Sequence, residues 1–295
     1  MSLLEIKKKI GGVKNTRKVT KAMQLVAASK RLQFQRKAVS TRDFVAAQLA
    51  VLNQNLNSSD STSVFTEARS EGYTTFVLYS SDKGLCGALN NKLIKGLFDS
   101  KQWLETPEAN RKLIVIGKKA LDAANSRQIP VFKSFTKLSE NMSELQALEI
   151  VSELISVYLD KNCKEVKLIA PHYKNSFTFY PVIKTFLPFS KEMLDTHLGA
   201  MEMELESKDT DSMLFEPNAE VVLDKLYEQI SQALFLQALY ELKASEYSSR
   251  MIAMKNATES ADKIIKNLTL DLNKARQAAI TQEIAELAGA QAAME

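Results

Sequence analysis

The chain has 295 residues, 45% hydrophobic and 25% charged, enough for one large domain or two small ones around a sizeable core. No apolar run approaches the roughly 18–20 residues that cross a bilayer, which excludes direct membrane insertion, and the start, MSLLE, lacks the apolar block of a secretory signal. Cys86 and Cys163 are the only cysteines and His172 and His197 the only histidines, which excludes a disulfide framework and a zinc site and points to reduced thiols in a cytoplasmic protein.

Net charge is +4 overall but unevenly placed. Residues 1–42 carry twelve Lys/Arg against the single acid Glu5, a local charge of +11, so the remainder carries −7. Such asymmetry speaks about partners.

Helix breakers are absent from both ends. No Gly or Pro occurs between Val13 and Glu71, or between Asn218 and Ala288, and all six prolines fall between Pro107 and Pro217. The first segment, 1–57, reads as one long helix in which Leu3, Ile6, Ile10 and Val13 recur at steps of three and four, with Val45, Leu49, Leu52 and Leu56 further on. Only Gly11-Gly12 interrupts it. In the basic stretch Ile6, Ile10, Val13, Val19, Met23 and Val26 are expected to pack on a second helix.

An α/β domain is expected over 72–190. Thr74–Ser80, Lys112–Ile116, Glu165–Ala170 and Phe177–Leu187 read as strands, and Asn90–Lys101 and Ser143–Asn162 as helices. Alternating elements imply a parallel-rich, Rossmann-like sheet, with Pro181 placing the last strand at an edge. Residues 191–217 read as an irregular return linker. The last segment, 218–295, reads as a second long helix, broken only at Gly289, with Leu223, Leu226, Ile230 and Ala233, then Ile264, Leu268, Leu272, Ala275 and Ala279, on a narrow stripe.

The narrow stripes predict a two-helix antiparallel coiled coil, since both helices meet the α/β domain at one end. At 1.5 Å per residue the helices span about 84 and 117 Å, which pairs Met1 with Lys274, Met23 with Ile252, and leaves an Ala-rich overhang. A small-sided apolar helix of that length is marginal alone in water, so it calls for an enclosing surface from other chains.

Chemistry finds no home. Ser81-Asp82-Lys83-Gly84-Leu85-Cys86-Gly87 follows the first strand, where a dinucleotide loop would sit, but lacks G-x-G-x-x-G and the Walker arrangement, and Asp82 repels phosphate. A tight turn or contact loop is the favoured reading. There is no G-x-S-x-G, no H-E-x-x-H and no histidine in either long helix. No cofactor is implied. The basic residues of 7–42 leave open a coiled-coil nucleic-acid-binding protein, and the loop a nucleotide-dependent α/β enzyme; an interaction protein fits the pattern better.

At four places the residues become specific. Asn15–Lys30 (NTRKVTKAMQLVAASK), Ser81–Gly87 (SDKGLCG), Arg250–Thr258 (RMIAMKNAT) and Asn273–Ile284 (NKARQAAITQEI) closely resemble, in order, the signature segments of ATP synthase gamma subunits. The resemblance implies a non-catalytic central rotor shaft passing through a ring of three alpha and three beta subunits. Its foot would rest on the epsilon subunit and the membrane ring of c subunits. By resemblance, Lys21, Met23 and Arg250 meet an acidic beta loop, and Arg276, Gln277, Thr281 and Glu283 meet a polar catch. Ala288, Ala290, Ala292, Ala293 and Met294 run in an apolar bearing, and Lys83 and Cys86 face the foot partners. A peripheral place on the cytoplasmic face of a bacterial membrane follows.

Overall fold

The computed structural model describes residues 2–56, 63–137, 144–173, 178–199, 216 and 218–292. In chain order these form α1 (Leu3–Leu56), β1 (Tyr73–Tyr79), α2 (Leu89–Phe98), α3 (Lys101–Glu105), β2 (Arg111–Ile116), α4 (Lys118–Ser126), β3 (Lys133–Phe135), α5 (Glu144–Leu159), β4 (Cys163–Tyr173), β5 (Phe179–Leu187), α6 (Lys191–Gly199) and α7 (Ala219–Ala292). Among the described residues no helix is long and apolar enough to cross a membrane. Two compact units emerge, one of residues 1–28 with 250–295 and one of residues 29–249.

The first unit is a helix pair. On its α1 side the buried or half-buried positions include Leu3, Ile6, Ile10, Val13, Thr20, Gln24 and Ala27, and on its α7 side Met254, Thr258, Ala261, Ile265, Leu268, Leu272, Ala275 and Ala279. Both sets follow a three-four heptad, the period of a two-helix seam. Gly11-Gly12 do not break α1, nor Gly289 α7. Each helical glycine costs about 1 kcal/mol relative to alanine, and Ile10 and Val13, inserted in the seam on either side of the first pair, offset that cost.

Two polar contacts set the register: the hydroxyls of Thr20 and Thr258 lie 2.8 Å apart, and Arg17 Nε donates to Asp262 Oδ1 at 2.5 Å. The pairing is therefore shifted by about one turn from the expected one, with Met23 level with Lys255 rather than Ile252. The mismatch arises because helix-length counting fixes the closed end only to within a turn. Val19, Met23 and Val26 are also not in the seam. They are 57%, 37% and 58% exposed, because the heptad that runs through Ile6 and Val13 continues at Thr20 and Ala27.

The second unit is built on a five-stranded sheet of order β3-β2-β1-β4-β5. β1 pairs in parallel with β2 and β4, β2 with β3, and β5 runs antiparallel to β4 at the edge, with Pro181 opposite Pro171. β1 is buried along nearly its whole length, as expected of a strand covered on both faces. On one face α7 lays Phe235 on Tyr79 with ring centroids 5.8 Å apart. Further along α7, Phe34 of α1 stacks on Tyr247 at 5.6 Å.

α2 approaches β5 through Gly96, where an added Cβ would stand 2.7 Å from Pro181 Cβ and Cγ. The proline ring cannot swing aside. Gly96→Ala is therefore expected to destabilise this unit by about 1–3 kcal/mol through overpacking, read as a lowered urea midpoint with unchanged slope.

Four elements depart from expectation. The helix expected over Asn90–Lys101 ends at Phe98, and a separate short helix, α3, follows it. α4 and β3 carry weak patterns, KKALDAANS and KSF, and were not anticipated. The expected return linker begins as helix: α6 buries Met193, Leu194, His197 and Leu198, an i, i+1, i+4, i+5 stripe hidden among polar residues. The rest of that linker, 200–215 and 217, lies outside the described residues.

Candidate functional site: the helical contact surface

The residues singled out from sequence fall on three surfaces. On the helix pair, Lys21 is exposed with its Nζ donating to Gln24 Oε1 at 3.3 Å, Met23 is partly exposed, and Arg250 is half-buried. By the observed register Arg250 lies opposite Ala28, about 10 Å along the axis from Lys21. The structure therefore separates two residues that helix counting had brought together. Around Met23, the exposed apolar ridge of Val19, Met23 and Val26 is flanked by exposed Lys18 and Lys21. A phosphate-binding surface has no use for such a ridge; a protein surface combining apolar and acidic groups does.

The second surface is the far part of α7. Arg276, Gln277, Thr281, Glu283, Ala288 and Ala290 are all exposed. The Thr281 hydroxyl donates to Gln277 O at 2.9 Å and Gln282 Nε2 to Glu286 Oε1 at 2.9 Å, contacts within the helix itself. The last seam residue is Ala279. Beyond it Ile280, Ile284 and Leu287 are 45%, 61% and 72% exposed. Ala292 ends α7, and Ala293 and Met294 lie outside the described residues.

The third surface is the loop 81–87. Three successive amides at the start of α4 are satisfied from it and the residue before: Lys118 N donates to Asp82 Oδ1 (2.8 Å), Lys119 N to Ser81 O (3.2 Å) and Ala120 N to Ser80 Oγ (2.8 Å). A carboxylate thus holds the positive end of α4, the place a phosphate would take. Gly117 is required just before it: its φ is +95° and a Cβ would meet Ser80 O at 2.2 Å. Inside the loop Ser81 Oγ donates to Lys83 O (2.8 Å) and accepts from Asn90 Nδ2 (2.9 Å), which also reaches Cys86 Sγ (3.2 Å).

Cys86 is only 2% exposed, so the expectation that it faces a partner is corrected: its thiol completes the buried network that shapes the loop. The outward position belongs to Leu85, 62% exposed and held at φ +62°, a strained conformation for a side chain with a Cβ. Nothing in the sequence marked Leu85 out. The loop packs at Gly87 near the Ser249 carbonyl of α7, one residue before Arg250. Lys83, exposed beside Leu85, is therefore placed by the C-terminal ends of the strands.

Titratable groups inside the second unit serve packing. Glu241 of α7 is 5% exposed. Its Oε1 accepts from Arg42 Nη2 (3.0 Å) and Gln237 Nε2 (3.1 Å), and its Oε2 from Tyr173 N (3.2 Å), with His172 Nδ1 at 3.3 Å. Burial alone would raise its pKa; the His172 hydrogen bond and the Arg42 charge override it and hold the carboxyl down to about 2. His197 is pushed down to about 3 by burial and by the Lys184 charge, its Nε2 3.0 Å from Thr185 O. Neither residue stands beside a nucleophile, and a histidine neutral throughout the physiological range is a packing group.

Comparison with known proteins follows the same lines. A family profile described as ATP synthase matches residues 2–294. The ATP synthase gamma chain of Picosynechococcus sp. is 34% identical over 99% of this chain and 99% of its own length. That of Gloeothece citriformis is 36% identical over 97% and 98%, and that of Moorella thermoacetica 33% over 98% of each. Among solved structures, a chain of the Tetrahymena thermophila mitochondrial ATP synthase central stalk and c-ring superposes with TM-score 0.60 at 24% identity, covering 81% of this chain and 99% of the other. A chain of the Euglena gracilis mitochondrial OSCP/F1/c-ring structure does so with TM-score 0.65 at 20% identity, covering 99% and 94%.

Proposed function

Since the chain belongs to the ATP synthase gamma-chain family, we propose that it is the central shaft of that complex, coupling ion flow through the membrane ring to ATP synthesis or hydrolysis at the alpha–beta interfaces. It is a non-catalytic subunit, peripheral to the membrane. Its partners in this reading are three alpha and three beta subunits around the helices, with the epsilon subunit and the c-ring at the foot. Bacterial relatives support a place on the cytoplasmic face of a bacterial membrane.

One observation carries the reading. Past Ala279 the α7 helix has left its seam, yet Ile280, Ile284 and Leu287 keep a one-sided apolar stripe at steps of four and three. An isolated helix of that length is marginal in water, and a surrounding sleeve of protein supplies what the chain itself does not. Ala288 and Ala290 continue into the same sleeve, and Arg276, Gln277, Thr281 and Glu283 form its polar rim. Lower down, Lys21, Met23 and Arg250 engage acidic beta segments, and Lys83 with Leu85 adds a contact at the level of Ser249.

Rotation matters only through difference. Contacts of equal strength with every beta conformation shift nothing; moving one site from 1:99 to 99:1 takes about 5.5 kcal/mol of differential interaction. Charged contacts that change partners as the shaft turns can supply that when partly buried. Co-expression of this chain with alpha and beta subunits is expected to yield a stable complex of three, three and one by native mass spectrometry. Purification of the chain free of them, or recovery on nucleic acid in a salt-sensitive way, would sink the proposal.

A further inference from the structure

We propose that the narrow recess between α7 and the β4–β5 hairpin is a water-binding site, in which bound water joins the Gln237 carbonyl to the Lys184 ammonium. The space lies wholly within the second unit. Leu168, Ala170 and His172 of β4 and Val182 and Lys184 of β5 form its floor, and Leu234, Gln237 and Glu241 of α7 its roof. Its volume is about 40 Å³; one water needs roughly 10–15 Å³ in the same measure, so two or three fit.

Two polar groups there lack protein partners, for chemical reasons. Gln237 is 5% exposed, and its Nε2 donates to Glu241 Oε1 at 3.1 Å. A carboxylate accepts only from the NH₂ side, so the amide cannot be turned round, and Oε1 is left buried with no protein donor. Lys184 faces Leu168 across the hairpin ladder and lines the same space. Its ammonium has three protons to place, and no described protein acceptor takes one.

Glu241 is the evident candidate acceptor, yet its oxygens are already committed to Arg42, Gln237, Tyr173 and His172. Four contacts fill the four lone-pair directions of a carboxylate. Lys184 therefore feels the Glu241 charge without bonding to it. Burial lowers its pKa, and the Glu241 charge opposes the shift. A water accepting from the half-buried Lys184 Nζ and donating to Gln237 Oε1 supplies the donor that the buried amide oxygen lacks, at little entropic cost for a polar site. The bridge ties the edge hairpin to the same turn of α7 that Glu241 holds.

The test is a structure of the full chain in its complex, at a resolution that shows ordered solvent. At least one solvent peak within hydrogen-bond distance of both Gln237 Oε1 and Lys184 Nζ is expected. A dry cavity, a direct Lys184–Gln237 hydrogen bond, or a bound anion in place of water would each overturn the proposal. Oxygen-17 relaxation dispersion of the full chain gives an independent reading. The long-lived internal waters counted in the wild type should fall by at least one in Lys184→Met, and an unchanged count refutes the site. Gln237→Met, which keeps the volume, serves should Lys184→Met fail to fold.

Discussion

Glu241→Ala is expected to cost about 3–5 kcal/mol of folding stability, because it strands a part-buried guanidinium rather than removing a pair. Arg42 is 24% exposed against 6% for Glu241 at the side-chain level, so the charge left behind reaches solvent poorly. The amide of Tyr173 and the Gln237 side chain lose their acceptor in the same step. For a chain of this size each kcal/mol moves the melting temperature by about 2 °C or slightly more, so a drop of about 6–10 °C is expected by circular dichroism. A variant within about 1 kcal/mol of wild type, inside the range of an ordinary surface substitution, would show that this cluster does not hold α7.

The same carboxylate predicts an acid dependence with a definite sign. Its folded pKa of about 2 lies below the ordinary 4.5, so its contribution is present above 4.5 and is lost as pH falls through about 2. A shift of that size corresponds to about 3 kcal/mol at neutral pH. Glu241→Ala should flatten the decline in stability between those two pH values. A decline as steep as in wild type would assign the acid sensitivity to other carboxylates.

The long helices were legible because their signals are redundant: missing glycines and prolines, heptad spacing and length all agree. The sheet was legible through Phe76–Leu78, Leu113–Ile116 and Val166–Ala170, whose apolar runs bounded by turns leave little else for the chain to do. What stayed hidden depends on partners distant in sequence. Val19, Met23 and Val26 have helical spacing that suits either side of α1; only Thr20, Gln24 and Ala27, weak as apolar signals, show which phase the seam takes. Cys86 turns inward and Leu85 outward because Asn90 and Ser81 converge on one sulfur, a geometry that no local pattern announces. Glu241 looked like one more charge on a charged helix, since Arg42, His172 and Tyr173 come from two other elements.

Reversing charge at both Lys21 and Arg250, as Lys21→Glu with Arg250→Glu, is expected to reduce ion-driven ATP synthesis by roughly a hundredfold while the subunit still folds and assembles. Each residue sits outside the core of its unit, exposed or half-buried, so the loss belongs to coupling. A hydrogen bond to a charged group contributes about 1.5–3 kcal/mol, and two of them at the lower figure amount to about 3 kcal/mol, a little over half of the roughly 5.5 kcal/mol needed to switch a site. Since 1.4 kcal/mol is about tenfold, each single reversal should cost roughly tenfold. The register makes this additivity a specific test: contacts about 10 Å apart with no shared partner are expected to act independently. A double variant no worse than either single one would mean that both residues serve one beta contact, the arrangement the observed seam disfavours. Unchanged coupled turnover in membrane vesicles would remove both residues from the contact surface.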